Sequence, residues 1–584
     1  MSDPTPSSHP ALPLRAADFG TIAEALDYAA QGATGFNFYS GKGVLVESLP
    51  YRDLRDQAIA TARRLLGAGL RPGDRVGLIA ESNGDFVRTF FACQYAGLVP
   101  APLPLPMVFA AKDGYVAHLR RMIERAQASA LIGPTSLEPW MREIADGTPA
   151  TLVATPAALA AIDPAAGALP APSLGHTAYL QFSSGSTRFP SGVEVTQRAV
   201  MTNTRMTGRH GLEAAPDDRG VSWLPFYHDM GLVGFLVMPT LFQRSVDIIP
   251  TAEFARRPLV WLELIGRNRG TVSYGPSFGY ELCTRRAERA SLEGLDLSSW
   301  RSAGIGGDLI RPDVLEQFAE RFERHGFDAN AFLPSYGMAE ATLTLCVAPL
   351  RRGARKDTID ATQLEREHRA VPAHAGSTRA RTFMLCGRIL PDHELEVRDE
   401  SGRPLPERRI GRIFVRGPSL MTGYFGAPEE TARVLGADGW LDTGDLGYLL
   451  NGEIVITGRA KDLIIVNGRN LWPQDIEWTV ETQIDALRSG DVAVFSVLAE
   501  QGEEVVALVQ CRIRDPQPRE ALRADVTALI RGRHGIEATV VLVPPHALPQ
   551  TTSGKLSRSL ARSLYLDGRF DDAAPPAVAI AQGE

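Results

Sequence analysis

The chain has 584 residues, of which 44% are hydrophobic and 22% charged, and its formal net charge is −7. This composition is ordinary for globular proteins and excludes a fibrous or largely disordered chain. The acidic balance gives no basic surface of the kind that indicates a nucleic-acid partner. The five cysteines are scattered and form no C-x-x-C pair. Their pattern excludes a recognisable zinc site or disulfide framework and favours a reducing compartment.

The N-terminus and the most apolar segment carry no targeting signal. Residues 1–10, MSDPTPSSHP, have neither a basic start nor an apolar run. The most apolar segment, residues 90–106, ends in four prolines at alternate positions, which a membrane-spanning helix would not tolerate. We therefore expect a cytoplasmic protein without an integral membrane segment.

From residue 45 to about residue 340, helical and strand patterns alternate. Residues 51–66 have the apolar spacing of a helix, and residues 75–80 form an apolar run typical of a buried strand. Residues 313–325 again predict a helix, with Pro312 in its first turn and Gly326 at its end. The alternation predicts an α/β fold with mostly parallel sheets covered by helices.

The pattern changes twice after residue 380. Residues 383–457 consist of short strands separated by Gly/Pro turns, which predicts a small β subdomain. A second alternation follows, with strands at 492–497 and 505–509 and a helix at 519–531. We therefore expect an N-terminal domain over residues 1–460, made of two βα-type subdomains and the β subdomain, and a small α+β domain over residues 461–570. Residues 571–584 are expected to be a disordered tail.

Residues 181–192, QFSSGSTRFPSG, raise the first question about function. Five hydroxyl side chains and two glycines fall between Ser183 and Gly192, directly after an expected strand at 177–182. Such a stretch is either a flexible linker or a loop whose backbone N–H groups and hydroxyls bind a phosphate. The P-loop pattern is absent, so this stretch alone leaves both alternatives open.

Further polar clusters follow apolar runs, where α/β proteins place their binding sites. Residues 223–231 (WLPFYHDMG) contain His228, and residues 440–447 (WLDTGDLG) contain Asp445. Residues 332–342 (FLPSYGMAEAT) predict a strand, a tight turn and a helix with Glu340 in its first part. Two of the chain's five lysines, Lys461 and Lys555, stand in GRAKDLI and LPQTTSGKLSR. Each cluster also has an ordinary explanation, as a buried histidine, an exposed helix acid or a solvated loop lysine.

Taken in order, these motifs resemble the adenylate-forming superfamily of acyl-CoA synthetases, non-ribosomal peptide synthetase adenylation domains and luciferases. The resemblance covers roughly residues 20–565, and SSGSTR, LPFYHDMGL, FLPSYGMAEAT and DLIIVNGRNLWPQDIE are most similar to fatty-acyl-AMP ligases. It implies an enzyme that uses ATP and Mg²⁺ to convert a fatty acid to its acyl-adenylate with release of pyrophosphate. The acyl group then passes to the phosphopantetheine thiol of a holo acyl carrier protein.

Two alternatives stay open beside this interpretation. One is a fatty acyl-CoA synthetase that uses free coenzyme A as the acceptor. The other is a non-catalytic nucleotide- or lipid-binding relative, against which the joint presence of Glu340, Asp445, Arg459 and Lys555 argues. We expect a monomer in each case.

The resemblance also implies the roles of individual residues. The phosphate loop is followed by residues that wall the adenine, among them Tyr336, which stacks on the adenine face, and by Asp445, which accepts the ribose hydroxyls. Arg188 stands where most of the superfamily has glycine, and it either contacts phosphate in place of a missing lysine or braces the loop. The implied ATP-binding residues are Ser183, Ser184, Gly185, Ser186, Thr187, Arg188, Gly306, Gly307, Asp308, Ser335, Tyr336, Gly337, Met338, Asp445 and Arg459.

The remaining implied residues concern catalysis, metal and acyl binding. Lys555 stabilises the charge that develops as the carboxylate attacks, and Lys461 is the hinge of a mobile C-terminal domain. Glu340 and Thr187 hold Mg²⁺. The acyl group is bound by His228, Gly231 and Gly306.

Two segments set this chain apart within the superfamily. The adenine wall departs from the fatty-acyl-AMP ligases at Ile305 and Asp308, where those enzymes usually have Asn and Glu. Residues 351–378 resemble the insertion of those ligases, with Ile359, Leu364 and Val371 as apolar anchors on the large domain. This insertion is expected to limit the swing of the C-terminal domain and so to disfavour coenzyme A.

Overall fold

The computed structural model describes residues 12–106, 112–183, 190–377, 379–466, 469–499, 502–550 and 555–570. The predicted α/β class is confirmed, because most strands belong to sheets with parallel pairing and helices lie between them in the chain. The α-helices are Ile22–Ala29, Tyr51–Gly67, Gly84–Ala96, Lys112–Ala126, Glu138–Ala145, Pro156–Ala160, Gln197–Met206, Asp229–Leu232, Met238–Leu241, Thr251–Arg256, Leu259–Asn268, Ser277–Ala287, Pro312–Phe322, Ala361–Glu367, Pro428–Val434, Pro473–Gln483, Pro516–His534 and Arg558–Leu566.

A nine-stranded sheet organises the large part of the chain. Its six central strands are parallel to one another, and antiparallel strands are added at both edges. In spatial order the strands are Arg388–Ile389, Thr344–Val347, Phe332–Gly337, Ser302–Ile305, Val272–Gly275, Arg219–Ser222, Ser245–Ile248, Gly35–Tyr39 and Leu45–Pro50.

Two further sheets complete this α/β part. A four-stranded parallel sheet contains, in order, Val99–Leu103, Arg75–Ile79, Ala128–Ile132 and Leu152–Ala154. A three-stranded antiparallel sheet contains Gly423–Tyr424, Ser191–Thr196 and Thr177–Ser183.

The later part of the chain contains the smaller sheets. An antiparallel sheet is formed by Glu394–Arg398, Gly411–Arg416, Leu441–Leu450 and Glu453–Arg459. Two hairpins are formed by Lys356–Asp360 with Ala380–Met384 and by Ile464–Val466 with Arg469–Leu471. The last sheet contains Val492–Ala499, Gly502–Gln510 and Ala538–Val543, and the predicted strands and helix after residue 490 are confirmed.

The helix predicted at residues 313–325 shows why local sequence was informative. Helix Pro312–Phe322 begins with its proline in the first turn, and a 3₁₀ turn extends it to residue 325. Gly326 ends it in the left-handed conformation at φ +82°, which glycine adopts without steric strain. Leu315, Phe318 and Phe322 are buried on one face of this helix, as their spacing predicts.

The apolar segment at residues 90–106 is a buried helix end and strand. Helix Gly84–Ala96 ends at Gly97, and the chain then enters the parallel strand Val99–Leu103, all of whose residues are buried. Within the part of the chain that the structure describes, no helix is long and apolar enough to cross a membrane.

The prediction of a helix around Glu340 is wrong. Strand Phe332–Gly337 is followed by a 3₁₀ turn at Ala339–Ala341 and then by the antiparallel strand Thr344–Val347. Sheet pairing of the two strands leaves too few residues between them for an α-helix. A Cβ at Gly337 would lie 1.8 Å from the Leu343 carbonyl oxygen, so only glycine permits this close approach.

Candidate active site

A cavity of about 580 Å³ opens where the carboxyl ends of the central strands meet the antiparallel sheet and the C-terminal region. Crevices at the carboxyl ends of such strands are the usual ligand sites of α/β proteins. Many residues singled out in the sequence come together on its wall: Ser183, His228, Gly306, Gly307, Ser335, Tyr336, Gly337, Met338, Glu340, Asp445, Arg459, Lys461 and Lys555.

The other predicted site residues form two groups. Ser184, Gly185, Ser186, Thr187 and Arg188 fall outside the described residues. Two more do not line this cavity, namely Asp308 and Gly231. Asp308 faces an adjoining cavity of about 1070 Å³, and Gly231 is buried where a Cβ would lie 2.1 Å from the Pro225 carbonyl oxygen.

One wall carries a hydrogen-bonded carboxylate on strand Leu441–Leu450. The phenol of Tyr336 donates a hydrogen bond of 2.8 Å to Oδ2 of Asp445, and Arg459 Nε lies 3.5 Å from Oδ1. Burial raises the pKa of Asp445, and the charges of Arg459 and Lys555 only partly offset it. Strand pairing of Asp445 with Arg459 places the two side chains together. The result is an oriented acceptor beside a cation.

A second buried carboxylate belongs to Glu340, which is 5% exposed. Its Oε1 accepts hydrogen bonds from Ser183 at 2.9 Å and from the Tyr424 phenol at 3.0 Å. Both bonds reach the same oxygen, and no described residue bonds the other. Burial and the Glu340 charge raise the pKa of Tyr424, so this phenol stays protonated as a donor. Glu340 is therefore oriented by two hydrogen bonds to Oε1, and its Oε2 takes none from the described residues.

The third polar group lies at the loop before helix Asp229–Leu232. His228 Nδ1 lies 2.7 Å from Oδ1 of Asp229, and Gln181 fixes the loop by donating a 2.7 Å hydrogen bond to the Tyr227 carbonyl. Burial raises the pKa of Asp229, but its interactions with His228 and Lys555 and the hydrogen bond from the Met230 N–H outweigh burial, and the pKa lies below its usual value.

Lys555 lines the same cavity. Its charge lowers the pKa of both Asp229 and Asp445. A single ammonium group from the C-terminal part of the chain therefore supplies positive charge to both carboxylates. Anionic groups placed in this cavity would meet a cation supplied by a different part of the chain.

Another part of the cavity wall is mainly apolar. Two π-helical turns, Thr207–Gly211 and Val233–Val237, and the strand Val272–Gly275 contribute residues to it. The apolar lining side chains are Leu212, Phe235, Met238, Val272 and Leu343. One cavity thus joins a charged part to a part suited to a hydrocarbon chain.

Sequence reasoning missed several residues of the wall. Tyr424, Arg433 and Thr207 line the cavity, but none belongs to a motif that the sequence singled out. Tyr424 follows Gly423 in a two-residue strand, and Arg433 is one arginine among many. No local signal marks them, because their partners lie far away in the sequence.

Known proteins match the chain over nearly its whole length. Residues 37–425 match the family described as AMP-binding enzyme. A Caulobacter vibrioides protein, whose name assigns it provisionally to the acyl-CoA synthetases, is 56% identical over 559 residues and covers 96% of this chain and 97% of its own length. The medium-chain-fatty-acid–[acyl-carrier-protein] ligase JamA of Moorena producens is 31% identical over 574 residues, which are 95% of this chain and 96% of JamA.

The fold matches a solved structure equally well. A chain from a structural and functional study of fatty acyl-adenylate ligases from E. coli and L. pneumophila gives a TM-score of 0.92 at 46% identity. The match covers 95% of this chain and 100% of that chain. The resemblance inferred from the ordered motifs is confirmed: the chain belongs to the AMP-binding enzyme family and is a ligase of the adenylate-forming type.

Proposed function

We propose that this enzyme converts a fatty acid to its acyl-adenylate with MgATP and then passes the acyl group to the phosphopantetheine thiol of a holo acyl carrier protein. One observation carries the first step: a single cavity joins the Asp445, Glu340 and Lys555 side chains to an apolar wall. The nucleotide, the carboxylate of the fatty acid and its hydrocarbon chain can therefore bind next to one another in one site.

The nucleotide is assigned to the wall that carries Asp445. The Asp445 carboxylate accepts the ribose hydroxyls, Tyr336 orients it and Arg459 lies beside it. The adenine lies against the backbone of Gly306 and Gly307 and the turn that begins at Ser335. Without a Cβ, the glycines let the base approach the backbone closely.

Glu340 fits a Mg²⁺ site that is completed by phosphate. Mg²⁺ is commonly held by one or two carboxylates together with substrate phosphates, and one Glu340 oxygen takes no hydrogen bond from a described residue. No group of three or more His, Cys, Asp or Glu side chains suited to a metal occurs in the described ranges. The bound ion would neutralise phosphate charge, and Thr187 remains a proposed second ligand.

The chemical step is an in-line displacement at the α-phosphorus. A carboxylate oxygen of the fatty acid forms the new P–O bond while the bond to the bridging β-phosphate oxygen breaks, and pyrophosphate leaves with that electron pair. His228 and Asp229 fix the carboxylate end of the site, and Lys555 stabilises the anionic charge that builds between them and Asp445. Positioning and electrostatics are the main contributions.

Domain movement is part of the proposal. The domain boundary is assigned to Lys461, in the 3₁₀ turn Ala460–Asp462 between strands Glu453–Arg459 and Ile464–Val466. Residues 461–570 then form the mobile domain that carries Lys555. We propose that this domain turns about Lys461 after adenylation.

Contacts of the insertion support the carrier protein as acceptor. Glu365 in helix Ala361–Glu367 accepts a 2.7 Å hydrogen bond from Arg469, beyond the proposed hinge. Ile359 and Leu364 are fully buried in a cluster that includes Trp472, also beyond the hinge. Insertion and C-terminal domain are thus bound together by an ion pair and by apolar contact, which opposes rotation toward the arrangement that accepts free coenzyme A. Val371, the third predicted anchor, is only partly buried.

The named relatives favour two different acceptors. JamA is named as an acyl-carrier-protein ligase, whereas the Caulobacter vibrioides relative carries an acyl-CoA synthetase name. Free coenzyme A is therefore the second candidate acceptor. Pyrophosphate release with a panel of fatty acids tests adenylation, and pre-formed acyl-adenylate supplied with either holo acyl carrier protein or coenzyme A tests the acceptor. Equal use of coenzyme A would replace the carrier-protein proposal with the synthetase alternative.

Asp445→Ala should raise the KM for ATP by about tenfold or more, since a lost buried acceptor costs about 1–3 kcal/mol. The measurement is pyrophosphate release at saturating fatty acid with ATP varied. Tyr336→Phe removes the orienting donor and should give a smaller increase, and Asp438→Asn, at an exposed position in the same segment, is the control. An unchanged KM for ATP with a raised KM for fatty acid would contradict the assignment.

Arg469→Ala should increase acyl-CoA formation from pre-formed adenylate by about tenfold, because a shift of about 1.4 kcal/mol in the domain equilibrium changes the populations by that factor. The Glu365–Arg379 ion pair inside the large domain stays intact in this variant. Arg369→Ala is the matched control, since Arg369 pairs at 3.8 Å with Glu367 within the insertion. If neither variant forms more acyl-CoA than wild type does, the contact between the insertion and the C-terminal domain does not determine the choice of acceptor.

A further inference from the structure

The apolar part of the cavity contains one hydroxyl that its surroundings do not satisfy. Thr207 is 5% exposed and lines the cavity, and its Oγ1 is buried without a hydrogen-bond partner among the described residues. Leaving a buried hydroxyl unpaired is unfavourable, and native structures do so rarely. A valine of the same shape would line a purely hydrocarbon pocket without this penalty.

Other helical threonines show what Thr207 lacks. The hydroxyl of Thr204, one turn earlier, donates to the Val200 carbonyl at 2.6 Å, and Thr240 donates to the Leu236 carbonyl at 3.0 Å. This bond to a carbonyl four residues earlier is the ordinary arrangement of a buried helical threonine. Thr207 instead begins the π-helical turn Thr207–Gly211, and its hydroxyl takes no such partner.

The π turn is fixed in place by packing. A Cβ at Gly208 would lie 2.1 Å from the Phe242 ring, so the ring occupies the space that a side chain would need. A second π turn, Val233–Val237, contributes Gly234 and Phe235 to the same wall. π turns within helices occur frequently at functional sites. Two such turns at one cavity indicate that this wall is shaped for a ligand.

A second hydroxyl accompanies Thr207. Tyr274, on strand Val272–Gly275, also lines the cavity, and burial raises the pKa of its phenol to about 12. This phenol stays protonated and neutral near pH 7. The apolar part of the wall therefore offers two neutral hydroxyls, those of Thr207 and Tyr274, to a group carried by the acyl chain.

We propose that the acyl substrate carries a hydroxyl group on its hydrocarbon chain, and that Thr207 recognises this group by a hydrogen bond. The proposal rests on the proposed function, since it names the substrate class of the same site. A hydroxyl is the matching group because it can both donate to and accept from Thr207. A fatty acid without a hydroxyl leaves the Thr207 hydroxyl without a hydrogen bond, so the enzyme has a lower kcat/KM for that acid.

The test compares pairs of fatty acids on one enzyme preparation. Straight-chain acids of eight to sixteen carbons are each assayed for pyrophosphate release with and without a hydroxyl, which is placed at the second, third, middle or terminal carbon. For at least one placement, kcat/KM of wild type should be about tenfold higher for the hydroxylated acid. The ratio of two substrates on one preparation does not depend on the fraction of folded enzyme.

Variants then assign the preference to Thr207. Thr207→Val should bring the ratio close to one, Thr207→Ser should keep it, and Thr204→Val should leave it unchanged as the matched control from the same helix. Equal use of plain and hydroxylated acids by wild type would overturn the inference, as would a preference that survives in Thr207→Val. Pyrophosphate release with plain acids alone would leave the proposed function standing, whereas no release with any acid would overturn that function itself.

Discussion

Replacing Lys555 by alanine should lower the rate of acyl-adenylate formation by about two orders of magnitude or more. Loss of one main charge-stabilising donor costs about 3 kcal/mol in the transition state. Lys555 is the cation that acts on both Asp229 and Asp445, so its removal leaves the developing phosphate charge between them without that counter-charge. The effect should fall on the rate constant for adenylation, since the ribose and acyl contacts remain.

Single-turnover formation of adenylate, with the product trapped by hydroxylamine, measures this step directly. Lys112→Ala is the matched control, because Lys112 is an exposed lysine that pairs with Glu143 and does not line the cavity. Lys555→Arg should recover only part of the rate, since a planar guanidinium does not replace a compact ammonium on a flexible stem. A near wild-type rate in Lys555→Ala would show that the charge is supplied by another residue.

Glu340→Gln should also lower adenylation by about two orders of magnitude, with a rise in the Mg²⁺ concentration needed for half-maximal activity. Glutamine has the shape of glutamate and still accepts from Ser183 and Tyr424. The substitution therefore removes the negative charge and leaves the local packing in place. A hard divalent cation loses a charged oxygen ligand, and this is the reason for the expected effect.

A Mg²⁺ titration of pyrophosphate release measures the change, and thermal unfolding of both proteins checks that the fold is retained. Glu394→Gln is the control, because Glu394 is an exposed glutamate that pairs with Arg416 on the antiparallel sheet. An unchanged Mg²⁺ dependence would remove Glu340 from the metal site. Its role would then be to hold Ser183 and Tyr424.

Local elements of the fold could be predicted from the sequence because they depend on neighbouring residues. Helices Tyr51–Gly67 and Pro312–Phe322 follow from apolar residues one turn apart and from their end residues. The strand before the SSGSTR stretch and the elements after residue 490 follow in the same way. The order of the motifs then identified the family, which no single motif could do.

The predicted helix at Glu340 failed because sheet pairing overrode a helix-favouring composition. Residues 338–342 favour a helix locally, but antiparallel pairing of Phe332–Gly337 with Thr344–Val347 leaves room for only one 3₁₀ turn. The same pairing explains why Glu340 is buried. Glu340 is buried because the two strands pair with each other, and its neighbours in the sequence do not indicate this.

The sequence by itself determined most element types, the family and many of the polar residues of the cavity wall. Only the tertiary structure showed that Glu340 is bonded by Tyr424, that Asp445 is oriented by Tyr336 and that Glu365 pairs with Arg469. It also showed that the Thr207 hydroxyl has no partner among the residues that the structure describes. Each of these facts depends on side chains from distant segments or on packing around a π turn. Local periodicity carries no information about them, because the free energy that places them comes from contacts formed only when the whole chain has folded.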